Sequence, residues 1–263
     1  MSTAVAHGRT TRKVERARAV RLVNLRPALL TLVVLVVVYG SWRMYQQVYA
    51  WSAGLDATAA EFEQHWIPLL KLNLGVNLLL WAVVWAWLWW TRDRNLPALR
   101  PAEELRRCFY FIGWLLCYGT AFYFAGSFFV EGDAAWHQTV VRDTSFTPSH
   151  IVLFYGCIPL FILFGVGAFL YSMTRLPRYA EHISIPLLIA VAGPFMILPN
   201  LGYNEWGHAF WMTEEVFATP LHWGFVVFGW SLLAAGGVLV QLVQYLLDLF
   251  QRLAAQRGVP FDA

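Results

Sequence analysis

The chain has 263 residues, of which 59% are apolar, 17% aromatic and only 13% charged. A soluble domain averages roughly 25% charged residues, and a core of this size cannot hide so much apolar surface, so lipid must cover part of it. The formal charge of +3 says little until its placement is read, and neither a Gly-rich phosphate loop nor a basic-aromatic nucleic-acid surface is present. Apolar runs of about 20 residues recur along the whole length, enough to cross a bilayer as helices. The expected fold is an all-α integral membrane protein, a bundle of about six transmembrane helices.

In chain order, residues 1–26 form a basic N-terminal segment carrying Arg9, Arg12, Lys13, Arg16, Arg18, Arg21 and Arg26. Contact with anionic lipid and an orientation signal explain such a segment without nucleic acid. The transmembrane domain is expected over 27–250. Its first span runs from Pro27 to Ala50. A basic start with an apolar centre also resembles a cleaved signal peptide; here the segment continues to Tyr49 and Trp51 with no small-residue cleavage site. A polar connection from Trp51 to Trp66 leads to a second span, Ile67 to Trp90. Trp81, Trp85, Trp87, Trp89 and Trp90 crowd its end in the manner of an interfacial belt. A loop from Arg92 to Arg107 precedes the third span, Cys108 to Val130. The loop Glu131 to Pro148 is followed by the fourth span, His150 to Met173. After Thr174–Ser184 comes a short fifth span, Pro186 to Leu201, broken by Gly193-Pro194 and Pro199 and so expected to kink. The stretch Gly202–Pro220 precedes the sixth span, Leu221 to Phe250, and residues 251–263 form the tail. The three cysteines, Cys108, Cys117 and Cys157, make no CxxC pair and read as small buried hydrophobes.

Basic residues alternate between connections. The start, the 92–107 loop, the 174–184 loop (Arg175, Arg178) and the end (Arg252, Arg257) hold all but three of the Lys and Arg residues, and the other connections hold only Arg142. Positive residues stay inside, which predicts six crossings with both the N-terminal segment and the 251–263 tail cytoplasmic. The loops on either side of 149–201 then share the outer, periplasmic face of a cell or intracytoplasmic membrane.

Those two outer stretches, 133–150 and 204–222, carry one arrangement twice. The first is Asp133-Ala134-Ala135-Trp136-His137 followed by Thr147-Pro148-Ser149-His150. The second is Asn204-Glu205-Trp206-Gly207-His208 followed by Thr219-Pro220-Leu221-His222. In each, an oxygen-bearing side chain lies four residues before a histidine, one helical turn away on the same face. A second histidine follows 13 or 14 residues later. Asp133, His137 and His150 make a carboxylate-plus-imidazole set suited to copper, zinc or iron. Asn204, His208 and His222 repeat it with a weaker neutral oxygen. Thr-Pro before the later histidine reads as helix N-cap and first helical residue, which would hold each imidazole in a first turn that disfavours its protonation. A single interfacial histidine is usually just a hydrogen-bonded polar tip. The repetition, on one membrane side of a chain poor in polar groups, turns the reading toward metal.

At these residues the sequence resembles the C subunit of the copper-dependent membrane monooxygenases, the family of particulate methane, ammonia and hydrocarbon monooxygenases. The segments that carry the likeness are GSFFVEGDAAWHQTVVRDTSFTPSH (126–150), MTRLP (173–177), GPFMILPNLGYNEWGHAFW (193–211) and PLHWGFVVFGW (220–230), with YAWSAGLD and TRDRNL matching more loosely. They cover roughly residues 40–245. The resemblance implies a subunit that oxidises a small unreactive substrate (methane, ammonia or a short-chain alkane) with O₂. It further implies two other subunits, A- and B-like, in a trimer of heterotrimers, with copper at both sites, zinc possible at Asp133/His137/His150, and quinol as electron donor. On that reading Asn204, His208 and His222 are the catalytic set. The alternative is a structural or assembly subunit whose metals serve stability while a partner does the chemistry.

Overall fold

The computed structural model describes residues 23–130, 132, 133, 136, 146–193 and 214–258, with the backbone alone at 127, 130, 214–229 and 232. Every regular element among them is helical. Pro27 sits in the first turn of α1 (Arg26–Ala53), where its missing N–H costs nothing. The second helix, α2 (Ala60–Trp90), opens on Glu61 and Glu63, which complement the positive end of the helix dipole. Helix α3 (Pro101–Phe124) repeats both devices with Pro101, Glu103 and Glu104, then continues as a wider i→i+5 turn over Ala125–Val130.

The next rod starts at α4 (Pro148–Val152), widens into a second π turn at Leu153–Cys157, and continues as α5 (Ile158–Arg175). A one-turn helix α6 (Pro177–Glu181) and α7 (Ile185–Ala192) follow, the latter capped by Ser184 Oγ accepting from the Leu187 N–H. The last helix, α8, runs from Glu214 to Gln256.

Four of these rods are long and apolar enough to cross a membrane: Arg26–Ala53, Ala60–Trp90, Pro148–Arg175 and Leu233–Gln256. Burial ranks them. The Pro148–Arg175 rod is 72% buried within its apolar window, against 11%, 17% and 22% for the others. It is therefore the axis of the bundle, with α2, α3 and α7 packed around it and α8 packed on α7 and α3. Small residues allow the closest approach, as membrane helices require. A Cβ on Gly165 would stand 2.9 Å from the Tyr118 ring, and one on Gly167 would overlap the Trp114 ring outright.

A ladder of side-chain donors fixes α2 against this axis. Asn73 Nδ2, Asn77 Nδ2, Trp81 Nε1 and Trp85 Nε1 donate to the carbonyls of Ile151, Tyr155, Pro159 and Leu163, at 3.1, 3.1, 2.9 and 3.2 Å. Both sides of the ladder advance four residues per step in the same direction, so the two rods are parallel. Pro159 has no N–H, so the α-helical partner of the Tyr155 carbonyl is missing, and the Asn77 amide takes its place. In lipid a freed carbonyl must find such a substitute. Trp81 and Trp85 thus face the helix interface, and the interfacial belt expected of the tryptophans reduces to the exposed Trp87, Trp89 and Trp90.

Three boundaries differ from the sequence expectation. Helix α2 begins at Ala60, so His65 lies on a helix, stacked on Tyr49 at 4.4 Å, and not in a loop. The third span starts seven residues before Cys108, at Pro101. Helix α8 starts at Glu214, which places Thr219-Pro220 inside its second turn and not at its start. Two successive acids at this point of the sequence, Glu214 and Glu215, favour a helix start there, and Pro220, in the second turn, lacks one backbone N–H. The three cysteines are buried free thiols, as expected.

Candidate metal centre

The first motif is built on the two π turns. The turn at Ala125–Val130 carries the chain from α3 toward Asp133, and the turn at Leu153–Cys157 lies just after His150. Thr147 is the N-cap of α4, its Oγ1 accepting from the His150 N–H at 3.4 Å, with Pro148 in the first turn. The Thr-Pro grammar read from the sequence is correct here, and it seats His150 at the helix start. That seat is packed against α1: a Cβ on Gly54 would overlap Pro148 Cγ.

Asp133 and His150 converge. His150 Nε2 lies 3.2 Å from Asp133 Oδ1, with the two side chains 1% and 4% exposed. A carboxylate and an imidazole this deeply removed from water each require a partner of complementary charge or hydrogen-bonding character. Donor atoms that share one zinc-like ion sit about 2.0–2.2 Å from it, which puts two adjacent donors about 2.9 Å apart at a right angle and about 3.4 Å apart at the tetrahedral angle. The observed 3.2 Å edge falls between these values, so this pair fits a shared ion. It equally fits a direct charge-assisted contact between the two side chains. The His150 ring lies 4.7 Å from that of Phe154, and buried Trp136, three residues after Asp133, lies 5.1 Å from Trp51.

The third member of this set, His137, and Asn204 and His208 of the second set lie outside the described residues; His222 falls on α8, where the backbone alone is described. Among the described residues no group of three His, Cys, Asp or Glu side chains converges.

Several residues around the site carry no motif that marks them in the sequence. Tyr39, on α1 and 1% exposed, places its hydroxyl 3.2 Å from both the Ala121 carbonyl, just before the first π turn, and the Cys157 carbonyl, the last of the second. Its ring stacks on Phe124 at 5.2 Å. Asn73 donates to the carbonyl of Ile151, the residue after His150. Arg43 Nη1 would stand 3.2 Å from a Cβ on Gly132, which brings a guanidinium beside the residue preceding Asp133. Asn73 and Asn77 could have been found, since amides one turn apart in an otherwise apolar span are costly unless used. Tyr39 had no such signal within its apolar run.

A separate cavity of about 520 Å³ lies between α3, α7 and α8, lined by apolar side chains such as Leu115, Phe122, Leu187, Val238 and Leu242. Neither Asp133 nor His150 lines it.

The family model for the C subunit of ammonia monooxygenase/methane monooxygenase matches residues 9–253. The chain belongs to this family. The match extends beyond the 40–245 likeness in both directions, into the basic N-terminal segment and to Leu253, and its range spans both motifs, 133–150 and 204–222. Membership makes the chain a subunit of a membrane monooxygenase, and the long apolar helices agree with that placement. No curated protein matches the chain. Two of the family-like segments, far apart in sequence, meet at the other end of the bundle. In TRDRNL and MTRLP, the Asp93 N–H donates to the Thr174 carbonyl at 3.1 Å, and Arg175 Nη2 bonds Thr91 Oγ1 at 2.5 Å.

Proposed function

We propose that the chain is the C subunit of a copper-dependent monooxygenase that hydroxylates a small substrate, methane, ammonia or a short-chain alkane, with O₂. The reading rests on the family match together with one observation, the buried contact between Asp133 Oδ1 and His150 Nε2. Asp133, His137 and His150 would hold one metal ion, copper or zinc. Asn204, His208 and His222 would hold copper, with the neutral Asn as the weak ligand that leaves a position open for chemistry. Bound copper would supply the one-electron redox chemistry that O₂ requires. The chain's own contribution is to present His150 from the first turn of α4 beside Asp133 and to keep water from the pair, which is almost wholly buried with Phe154 against the His150 ring. Two partner subunits, arranged as a trimer of heterotrimers, and quinol as reductant complete the proposal.

The test is metal content and turnover in assembled membranes, assayed against ammonia, methane and propane. Substituting His208 or His222 by Ala should lower bound copper and reduce turnover on the favoured substrate by on the order of a hundredfold or more, as loss of a catalytic metal does. Asp133→Ala or His150→Ala should remove a separate increment of metal. Full turnover in the His208 and His222 variants would leave the chain as an assembly subunit, with the chemistry in a partner.

A further inference from the structure

Two π turns face each other at the centre of this bundle, one leading to Asp133 and the other following His150. A π turn holds one residue more than an α turn. If either rewound as ordinary α-helix, everything beyond it would rotate by about 100°. Asp133 and His150 would then no longer point at one another. What keeps both turns open therefore decides the aim of the pair.

Buried donors reach these turns from α1 and α2. The Tyr39 hydroxyl lies 3.2 Å from the carbonyls of both Ala121 and Cys157, so one proton is shared between the last turn of α3, which leads into the first π turn, and the end of the second. The Asn73 amide donates at 3.1 Å to the Ile151 carbonyl, between His150 and the second turn. Packing leaves no slack at this point: a Cβ on Gly156, inside the second turn, would stand 3.0 Å from the Trp42 ring and 3.1 Å from Asn73 Nδ2. Below the turn, Trp81 and Trp85 pin α5 to α2 independently. The two rods are thus held on both sides of the turn, with Asn77 bonding the Tyr155 carbonyl inside it and Asn73 the amide donor nearest His150.

We propose that Tyr39 and Asn73 are positioning residues for the metal centre: by bonding the carbonyls of Ala121, Cys157 and Ile151 they hold the two π turns that set the separation of Asp133 from His150. The inference rests on the reading that Asp133 and His150 share a metal ion. Neither residue touches that ion; each acts through a backbone carbonyl.

The experiment compares Tyr39→Phe, Asn73→Leu, Asp133→Ala and Phe124→Leu in the full complex, purified from membranes and reloaded with copper(II) or zinc(II) alone. The metal lost in Asp133→Ala defines the increment bound at this site. Retention of that increment is read against rising EDTA, and the copper hyperfine splitting is read by electron paramagnetic resonance. Tyr39→Phe and Asn73→Leu should assemble to the wild-type level and shift the hyperfine splitting, leaving the remaining copper unchanged. Both should lose the increment at EDTA concentrations roughly tenfold lower or less, the scale on which supporting residues tune metal affinity. Phe124→Leu, which disturbs the ring packing but not the hydroxyl, should strip like wild type. The inference is overturned if Tyr39→Phe and Asn73→Leu strip like wild type while Asp133→Ala loses metal. It is equally overturned if Phe124→Leu weakens binding as much as Tyr39→Phe, or if neither positioning variant accumulates, since the role is then one of packing or folding alone. An Asp133→Ala variant with full metal content sinks the metal reading itself, and this inference with it.

Discussion

Arg175 illustrates what a charge needs at the edge of this bundle. It is 9% exposed, and its guanidinium donates to the Leu88 carbonyl at 3.1 Å and to Thr174 Oγ1 at 2.6 Å. The Tyr171 ring lies 5.2 Å beneath it, a cation–π contact that a guanidinium makes well. Arg107, one helix away, pairs with Asp93 at 2.8 Å and donates to the Arg175 carbonyl at 3.1 Å. Asp93 is the titrating member of this cluster. The N–H of Asn95, 2.9 Å from its Oδ1, and then the Arg107 guanidinium hold its carboxyl below the ordinary carboxylate range. A carboxyl whose folded value is depressed contributes stability above its unfolded value, and loses it as pH falls through the folded one. The unfolded value is about 3.9. Melting temperatures of the purified complex should therefore fall below about pH 4 more steeply in wild type than in Asp93→Asn, with a difference at neutral pH on the order of 1 kcal/mol, as for a partly exposed pair. Parallel melting curves for the two proteins across that range would remove Asp93 from the account.

Helix termini obeyed the sequence where one local interaction decides them. Thr147-Pro148 is both cap and first turn because the Thr147 hydroxyl meets the His150 N–H within four residues. The same dipeptide at 219–220 marks no helix start, since α8 runs from Glu214 through it. The tryptophans of α2 mark a different limit. Trp81 and Trp85 differ from Trp87 and Trp89 only in which way they face, and that is set by α5, 78 residues further along the chain. The two π turns differ in this: Ala125–Val130 carries only Gly126-Ser127 as a local mark, whereas Leu153–Cys157 lies just before Pro159, whose missing N–H frees the Tyr155 carbonyl inside the turn. Asp133 and His150 were legible as candidates for one site from their types and spacing, and they do converge; the apparatus around them was not legible. Packing between rods makes its own prediction. Gly167→Val should lower stability by about 1–3 kcal/mol, because the Trp114 ring already occupies the space a Cβ would need. Gly75→Ala, with nothing within 4 Å, should be neutral or slightly stabilising, since alanine favours the helix. Thermal melting of the two variants side by side separates overpacking from a general intolerance of change.

At the scale of the molecule, direction is the central question, because it decides which face of the membrane the Asp133–His150 pair occupies. The α2–α5 ladder makes those rods parallel, so the chain between them, which includes α3, returns to the end at which α2 began. Tyr45 of α1 donates to the His65 carbonyl at the start of α2 at 2.9 Å, so the α1–α2 turn closes at the same end as α4 and its His150. The opposite end gathers Asp93, Arg107 and Arg175, with Arg252 salt-bridged to Glu104 at 3.3 Å and to Asp248 at 3.0 Å. Basic residues favour the cytoplasmic side in short connections, so the His150 end is expected to face outward. The described part of the fifth segment, Ile185–Ala192, covers only about 12 Å at about 1.5 Å per residue and cannot cross by itself, so the six-crossing reading has to be tested at the termini. Ala57→Cys at the His150 end, with Asn95→Cys and Ala255→Cys at the other, supplies three exposed reporters, and the three native thiols are buried and should stay silent. In sealed right-side-out vesicles an impermeant maleimide should label the cysteine at 57 at once and those at 95 and 255 only after permeabilisation. Labelling of position 255 together with 57 would mean an odd number of crossings. Labelling of 95 in place of 57 would invert the bundle and put the Asp133–His150 pair on the cytoplasmic face.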